Sequence, residues 1–129
     1  MCGVIAWLSA RGEVASSRLA AALSELAHRG PDGEGVWISS DRRVGLGHRR
    51  LAIVAPGDGA QPIASADGGL QVVVNGELYD YAAQRAELEA RGHRFSTGSD
   101  SELALKLYEA HGARFVEHLR GEFALILWD

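Results

Sequence analysis

Residues 3–9, GVIAWLS, form a short apolar run bounded by glycine and polar residues, which predicts a buried strand. The period then changes. In residues 16–30, SSRLAAALSELAHRG, the apolar positions Leu19, Ala22, Leu23, Leu26 and Ala27 recur at three- and four-residue spacing. This predicts a helix that Ser16 or Ser17 can cap and that Gly30-Pro31 ends. Beyond the turn RGPDG, strands are expected at 35–40 and 44–54, separated by the polar DRR and paired antiparallel. Residues 55–62, APGDGAQP, have the Gly and Pro density of a loop, and 70–74, LQVVV, make the clearest strand in the chain. Helical composition fills 79–91 and stops at Gly92, HRFST at 93–97 reads as a short strand, and 99–112 reads as another helix. In that last helix Ser99 and Glu102 stand at capping-box spacing. A short helical piece then precedes the apolar strand FALILW.

Strands and helices mix without a regular βαβ alternation, which favours an α+β fold over a doubly wound sheet. No internal repeat or low-complexity segment interrupts the chain. The final strand runs to Asp129 with no closing element, so a C-terminally truncated domain is expected.

Composition narrows the function classes. A chain of 129 residues with 47% hydrophobic content can bury the core of one domain. The net charge of -4, with basic residues scattered apart from Arg42-Arg43 and Arg49-Arg50, argues against a nucleic-acid or anionic-membrane surface. One cysteine excludes an internal disulfide, and no basic segment followed by an apolar one marks a secretory signal, so a cytoplasmic setting is the default. No apolar stretch approaches the roughly 20 residues that cross a bilayer. Without a CxxC, an HExxH or a close His/Asp cluster, no metal site is expected.

The one cysteine stands at position 2, directly before Gly3. Lone cysteines commonly behave as small buried hydrophobes. At this position a second reading opens, because loss of Met1 would place the thiol and a free α-amine on one residue. An α-amine, with an ordinary pKa of about 7.7–8.0, can accept the thiol proton near neutral pH, as in N-terminal nucleophile enzymes. A stabiliser for the resulting oxyanion is available in VVVNGELYDY, where the Asn75 amide and the Gly76 N–H leave a strand end. Asn-Gly after a strand is equally a hairpin signal, although Glu77 and helical composition come next rather than a second strand.

MCGV, AHRGPDGEG (27–35), GHRRLAIV (47–54), QPI (61–63), NGELYDY (75–81), FSTGSDSE (95–102) and LRGEFALILWD (119–129) span the whole chain. In order and spacing they resemble the N-terminal glutaminase domain of glutamine-hydrolysing asparagine synthetases, which are class II glutamine amidotransferases. The spelling HRGPDG, RLAIV and NGELYDY is similar to the asparagine synthetase type rather than to the amidotransferases making glucosamine phosphate or phosphoribosylamine.

The resemblance implies an N-terminal nucleophile hydrolase-type αββα sandwich of antiparallel sheets, with residues 1–129 as a glutaminase domain incomplete at its C-terminus. It implies hydrolysis of L-glutamine to glutamate and ammonia through a γ-glutamyl thioester on Cys2, with the oxyanion held by Asn75 and Gly76. Arg50 would grip the substrate carboxylate, Leu51, Ile53 and Val54 would line the site beside it, and Glu77 and Asp100 would balance the substrate ammonium. Read alone, Arg50 is an ordinary strand arginine and Asp100 an ordinary helix N-terminal residue. Arg29, Gly30 and Asp32 would be architectural, with Asp32 bonding its own turn, and Arg49 a surface residue. No cofactor is implied for this domain. ATP and magnesium are implied only for a synthetase domain, absent from these residues, that acts in cis or trans and amidates aspartate; a homodimer is compatible with this picture.

Two other readings compete. STGSDS (96–101) comes within one residue of the pyrophosphate loop Ser-Gly-Gly-x-Asp-Ser of ATP pyrophosphatases, but Thr97 stands where glycine is needed for close phosphate approach. GLGHRR (45–50) lacks the third glycine of a dinucleotide loop. A truncated, non-catalytic domain is the remaining alternative, as is an amidotransferase with a different ammonia acceptor.

Overall fold

The computed structural model describes residues 1–53 and 57–129. β1 (Gly3–Leu8), β2 (Gly33–Ile38) and β3 (Val44–Arg50) form an antiparallel sheet in the order β1-β3-β2. β4 (Ile63–Ala64), β5 (Gln71–Leu78) and β6 (Gly121–Trp128) form a second sheet with β5 in the centre. The helices are α1 (Ser16–Glu25), α2 (Tyr81–Ala90) and α3 (Glu102–His111), followed by a 3₁₀ helix at Gly112–His118.

The alternation of side chains along each strand sorts these elements into layers. On β3, Val44 and Leu46 turn inward and pack with Val73 of β5, joined by Val4, Trp37 and Ile126, to make the core between the sheets. Gly45 and Gly47 face the other way, leaving room for Leu19 and Leu23 of α1 to lie directly on the strand. Both leucines are fully buried, each stabilising the layer by about 2–3 kcal/mol. On β5, Val72, Val74 and Leu78 turn outward onto Leu103 and Leu107 of α3, Leu88 of α2 and Phe115. The result is the αββα sandwich of antiparallel sheets that the resemblance implied.

Several boundaries differ from the sequence expectation. α1 stops at Glu25, short of Gly30-Pro31, and the chain tightens through i to i+3 bonds such as Leu26 N–H to Leu23 C=O at 3.1 Å. Neither Ser16 nor Ser17 caps it: Ala15 is the N-cap, and no side chain bonds the helix start. β2 begins at Gly33 rather than 35, and β3 leaves the ladder after Arg50, so 51–53 are not strand. The loop expected at 55–62 falls partly outside the described residues.

β5 does not end at residue 74. It continues through Asn75-Gly76 to Leu78 because β6 pairs along its whole length, setting Asn75 opposite Ala124 and Gly76 opposite Phe123. There is no hairpin turn at Asn75-Gly76. HRFST is not a strand either: Arg85 lies over the Phe95 ring at 4.5 Å and donates to the Thr97 carbonyl at 2.7 Å, tying that segment to α2.

α3 begins at Glu102, later than expected, and the capping box does not form. The buried Glu102 carboxylate instead accepts the amides of Ser96 and Thr97 at 2.9 and 2.7 Å together with both hydroxyls. Burial acts to raise its pKa, but these bonds outweigh it and hold the carboxyl below its ordinary range.

Candidate active site

Several chain segments, far apart in sequence, meet at one cavity. The β1–β3 register sets Gly3 opposite Arg49, so Cys2 enters the sheet beside Arg50. The half-buried thiol lies against the next residue: Cys2 Sγ accepts the Leu51 amide at 3.3 Å and reaches the Leu51 carbonyl at 3.7 Å. Behind it, Arg29 Nε donates to the Cys2 carbonyl at 3.0 Å.

The turn that carries Arg29 is clamped to the same strand end. Gly30 passes so close to the Arg49 backbone that a Cβ would overlap it, and the Asp32 amide donates to the Arg50 carbonyl at 3.0 Å. Asp32 does not bond its own turn: its carboxylate accepts the Ala52 amide at 2.8 Å, reaching across to the segment after β3. Arg49 is more enclosed than expected of a surface residue. Its Nη1 donates to Glu34 at 2.7 Å, while its Nε is buried without a partner among the described residues.

Cys2, Arg50, Leu51 and Ile53 form one wall of a cavity of about 240 Å³. Asn75, Gly76 and Glu77 form the facing wall, and Ser99, Asp100 and Ser101, just ahead of α3, close a third side. Ile53 is largely exposed at the rim, and Glu77 is exposed as well. The Arg50 guanidinium extends along Gly59, where a Cβ would sit 2.8 Å from its Nη2 and 3.4 Å from Ser99 Oγ. Val54 lies outside the described residues.

The facing wall presents hydrogen-bonding groups. Asn75 Oδ1 is buried and has no partner among the described residues. Gly76 has a φ of +144°, and a Cβ there would fall on the Glu122 carbonyl of β6. Alternation decides where its amide points. The Val74 N–H donates to the side chain of Gln61 and the Leu78 N–H to the Asp100 carboxylate at 3.0 Å, both on the edge of β5 away from β6. The Gly76 N–H lies between them on that edge, toward the cavity. Asp100 is 7% exposed, so its carboxylate is fixed at the site by this backbone bond.

His48, on β3 beneath the cavity floor, is almost wholly buried, and its Nε2 donates to the Val74 carbonyl at 3.2 Å. Desolvation by burial, reinforced by the positive charge of Arg50, pushes its pKa down to about 4 despite that bond. The imidazole is therefore neutral at pH 7, with Nε2 carrying the proton.

Every site residue named from the sequence that falls among the described residues lines this one cavity. Gln61 and Ser101 fall within the segments QPI and FSTGSDSE, but no role for them is legible there, since their contribution depends on contacts 13 and 40 residues apart along the chain. Among the described residues no group of His, Cys, Asp and Glu is arranged to hold a metal ion, and no helix is long and apolar enough to cross a membrane.

A family model for the glutamine amidotransferase domain matches residues 1–129. Amidase chry2 of Gibberella zeae is 43% identical, covering all of this chain and 21% of that protein. The glutamine-hydrolysing asparagine synthetase 3 of Arabidopsis thaliana is also 43% identical, covering all of this chain and 22% of that enzyme. The chain thus spans about a fifth of the length of these relatives. Among solved structures, a glutamine phosphoribosylpyrophosphate amidotransferase from B. subtilis, complexed with ADP and GMP, superposes on 98% of this chain and 35% of its own with a TM-score of 0.79. At 21% identity that likeness speaks for the fold.

Proposed function

Since the chain belongs to the glutamine amidotransferase family, we propose that residues 1–129 are its glutaminase domain and hydrolyse L-glutamine to glutamate and ammonia, with Cys2 as nucleophile. The observation that carries this reading is the convergence on one cavity of the Cys2 thiol, the Asn75–Gly76 donors and the Arg50, Glu77 and Asp100 charges.

Once Met1 is lost, the Cys2 α-amine takes the thiol proton and the thiolate attacks the side-chain amide carbon of glutamine. The carbonyl oxygen becomes an oxyanion facing Asn75 and Gly76. With Asn75 Oδ1 turned into the protein, Nδ2 is the amide end that donates to it, joined by the Gly76 N–H on the open edge of β5. The ammonium passes its proton to the departing nitrogen, the C–N bond breaks and ammonia leaves a γ-glutamyl thioester. Water then cleaves the thioester, and its proton returns to the thiolate. Arg50 pairs with the α-carboxylate through its planar fork, and Asp100 and Glu77 face the α-ammonium. The Leu51 amide, 3.3 Å from Sγ, stabilises the thiolate.

Relatives 40–43% identical are named glutamine-hydrolysing asparagine synthetases. On that likeness we assign the ammonia to ATP-dependent amidation of aspartate by a synthetase domain acting in cis or trans, with ATP and magnesium used there and no cofactor at this cavity. One observation favours a different acceptor: a relative of equal identity is named an amidase.

Glutamate release from glutamine by the purified protein tests the reaction. Cys2→Ala should abolish release, and turnover surviving in that variant would overturn the assignment. Asparagine formation on adding aspartate and ATP to the protein together with its synthetase domain tests the acceptor.

A further inference from the structure

The ladder on one edge of β5 ends early. β4 pairs Ile63 with Val72, and the same register carried onward would set residue 61 against Val74 and residue 59 against Gly76. The main chain has left the strand at both places, and at the first a side chain takes over. Gln61 Oε1 accepts the Val74 N–H at 2.6 Å, and its Nε2 donates to the Val74 carbonyl at 3.2 Å. These are the two bonds that a strand residue would make with its backbone. The same Nε2 donates to Ser101 Oγ at 3.2 Å, next to Asp100.

Gln61 is seated from behind as well. It is 8% exposed, and its own carbonyl occupies the space that a Cβ on Gly35 of β2 would need. The Val74 carbonyl also accepts His48 Nε2 at 3.2 Å, so the peptide joining Val74 to Asn75 is held from the first sheet as well as by Gln61. At the second place no substitution occurs, because Gly59 lies beside the Arg50 guanidinium and Ser99 instead. Among the described residues the Gly76 amide is the step of the ladder left open.

We infer that Gln61 is a positioning residue for the oxyanion site, fixing the Val74–Asn75 peptide and ending the ladder one step short of Gly76. The inference rests on the glutaminase reading above. A buried side chain that replaces a strand residue does two things at once: it satisfies Val74, and it leaves the next donor to the substrate. Loss of its bonds leaves the Val74 groups unpaired in a buried setting and lets the peptide turn. A displacement of about 1 Å is enough to cost roughly 100-fold in rate.

The test uses the chain with Gln61→Met, which keeps the length and loses all three bonds, and Gln61→Glu, which keeps an acceptor for Val74 and loses the donors. With glutamine, kcat should fall about 10- to 100-fold while KM changes by less than about twofold. Glutamate γ-semialdehyde reports on the oxyanion site directly. The Cys2 sulfur adds to its aldehyde carbon, and the carbonyl oxygen takes up the proton that the thiol gives. Its affinity should fall in parallel with kcat. Cys2 alkylation by iodoacetamide should stay near wild type, which a general loss of the folded site would not allow, while the thermal midpoint falls as the unpaired Val74 groups require.

Unchanged kcat and aldehyde affinity in both variants would overturn the inference, as would equal losses in alkylation and turnover. Should Gln61→Met fail to fold, Gln61→Glu decides. Hydrogen exchange at Val74 and Gly76 separates the positioning role from the reaction itself. Wild-type protein without Cys2-dependent glutamate release would sink the glutaminase reading, whereas exchange left unaltered by Gln61→Glu would sink the positioning role.

Discussion

Arg29 holds the backbone of Cys2: its Nε donates to the Cys2 carbonyl at 3.0 Å, although the residues are 27 apart in sequence. The turn carrying Arg29 is itself bound to the end of β3 through Asp32, which meets both the Arg50 carbonyl and the Ala52 amide. In the proposed mechanism this bond fixes the direction of the Cys2 peptide and so of its thiol. Arg29→Ala should therefore lower kcat more than it raises KM and cost about 1.5–3 kcal/mol of stability, the range for a bond from a charged donor. Steady-state kinetics and urea unfolding of the same preparation check both halves.

Gly76 is required by packing before chemistry enters. Its φ of +144° is open to glycine, and a Cβ would overlap the Glu122 carbonyl on the neighbouring strand. Gly76→Ala should force β5 and β6 apart, destabilising the protein by about 2–4 kcal/mol and abolishing turnover together. Gly33→Ala is the control, since a Cβ there meets only the Arg50 Cβ at an ordinary 3.8 Å. Equal unfolding midpoints for the two variants would contradict this account of β5.

How much of this was legible in the sequence depended on the range of the interaction concerned. α1 and α3 announce themselves by period, because burial of Leu19 and Leu23, or of Leu103 and Leu107, is a property of one element's face, and the first half of β5 by its run of valines. The far end of β5 was not legible. Asn75-Gly76 carries the local chemistry of a hairpin turn, and only β6, some fifty residues on, keeps it extended. Glu102 has capping-box spacing, yet the loop at Ser96 and Thr97 claims its carboxylate. The site came from the resemblance, since no spacing along the chain says that Cys2, Arg50, Asn75 and Asp100 converge. Gln61 stayed hidden because its place opposite Val74 exists only in the register of β4 on β5.

His48 makes stability depend on pH. Its folded pKa of about 4 lies below the ordinary 6.5, so between these values the unfolded chain binds a proton that the folded one does not. Its contribution is complete above about pH 6.5 and is lost as pH falls toward 4, by about 3 kcal/mol in all. The Asp41, Asp67 and Glu102 carboxyls, held below their ordinary values mainly by local hydrogen bonds, lose their contributions at lower pH still. His111 is also shifted down, so the comparison must be differential. Urea midpoints of wild type and His48→Gln, compared from pH 7 to 4.5, should diverge in slope, with the variant flatter. Parallel curves would show that His48 is not buried in its neutral form.

Met1 lines the same cavity as Cys2 and stands 72% exposed at its mouth. While it remains, the Cys2 nitrogen is a peptide amide with no lone pair for the thiol proton. Among the described residues the sulfur's hydrogen-bond partners are the Leu51 amide and carbonyl, neither of which is a base. No histidine takes over that duty, since His48 is turned to Val74 and carries its proton on the bonded nitrogen. The α-amine that removal of Met1 creates is the base the proposed mechanism uses. Intact mass should therefore show Met1 absent from active protein, and a preparation retaining Met1 should release no glutamate while Cys2 still reacts slowly with iodoacetamide. The pH profile should carry the same mark, with kcat/KM rising through the amine pKa, about 7.7–8.0 in its ordinary state, as the amine loses its proton. Full turnover with Met1 in place would refute the self-base mechanism while leaving Cys2 as nucleophile.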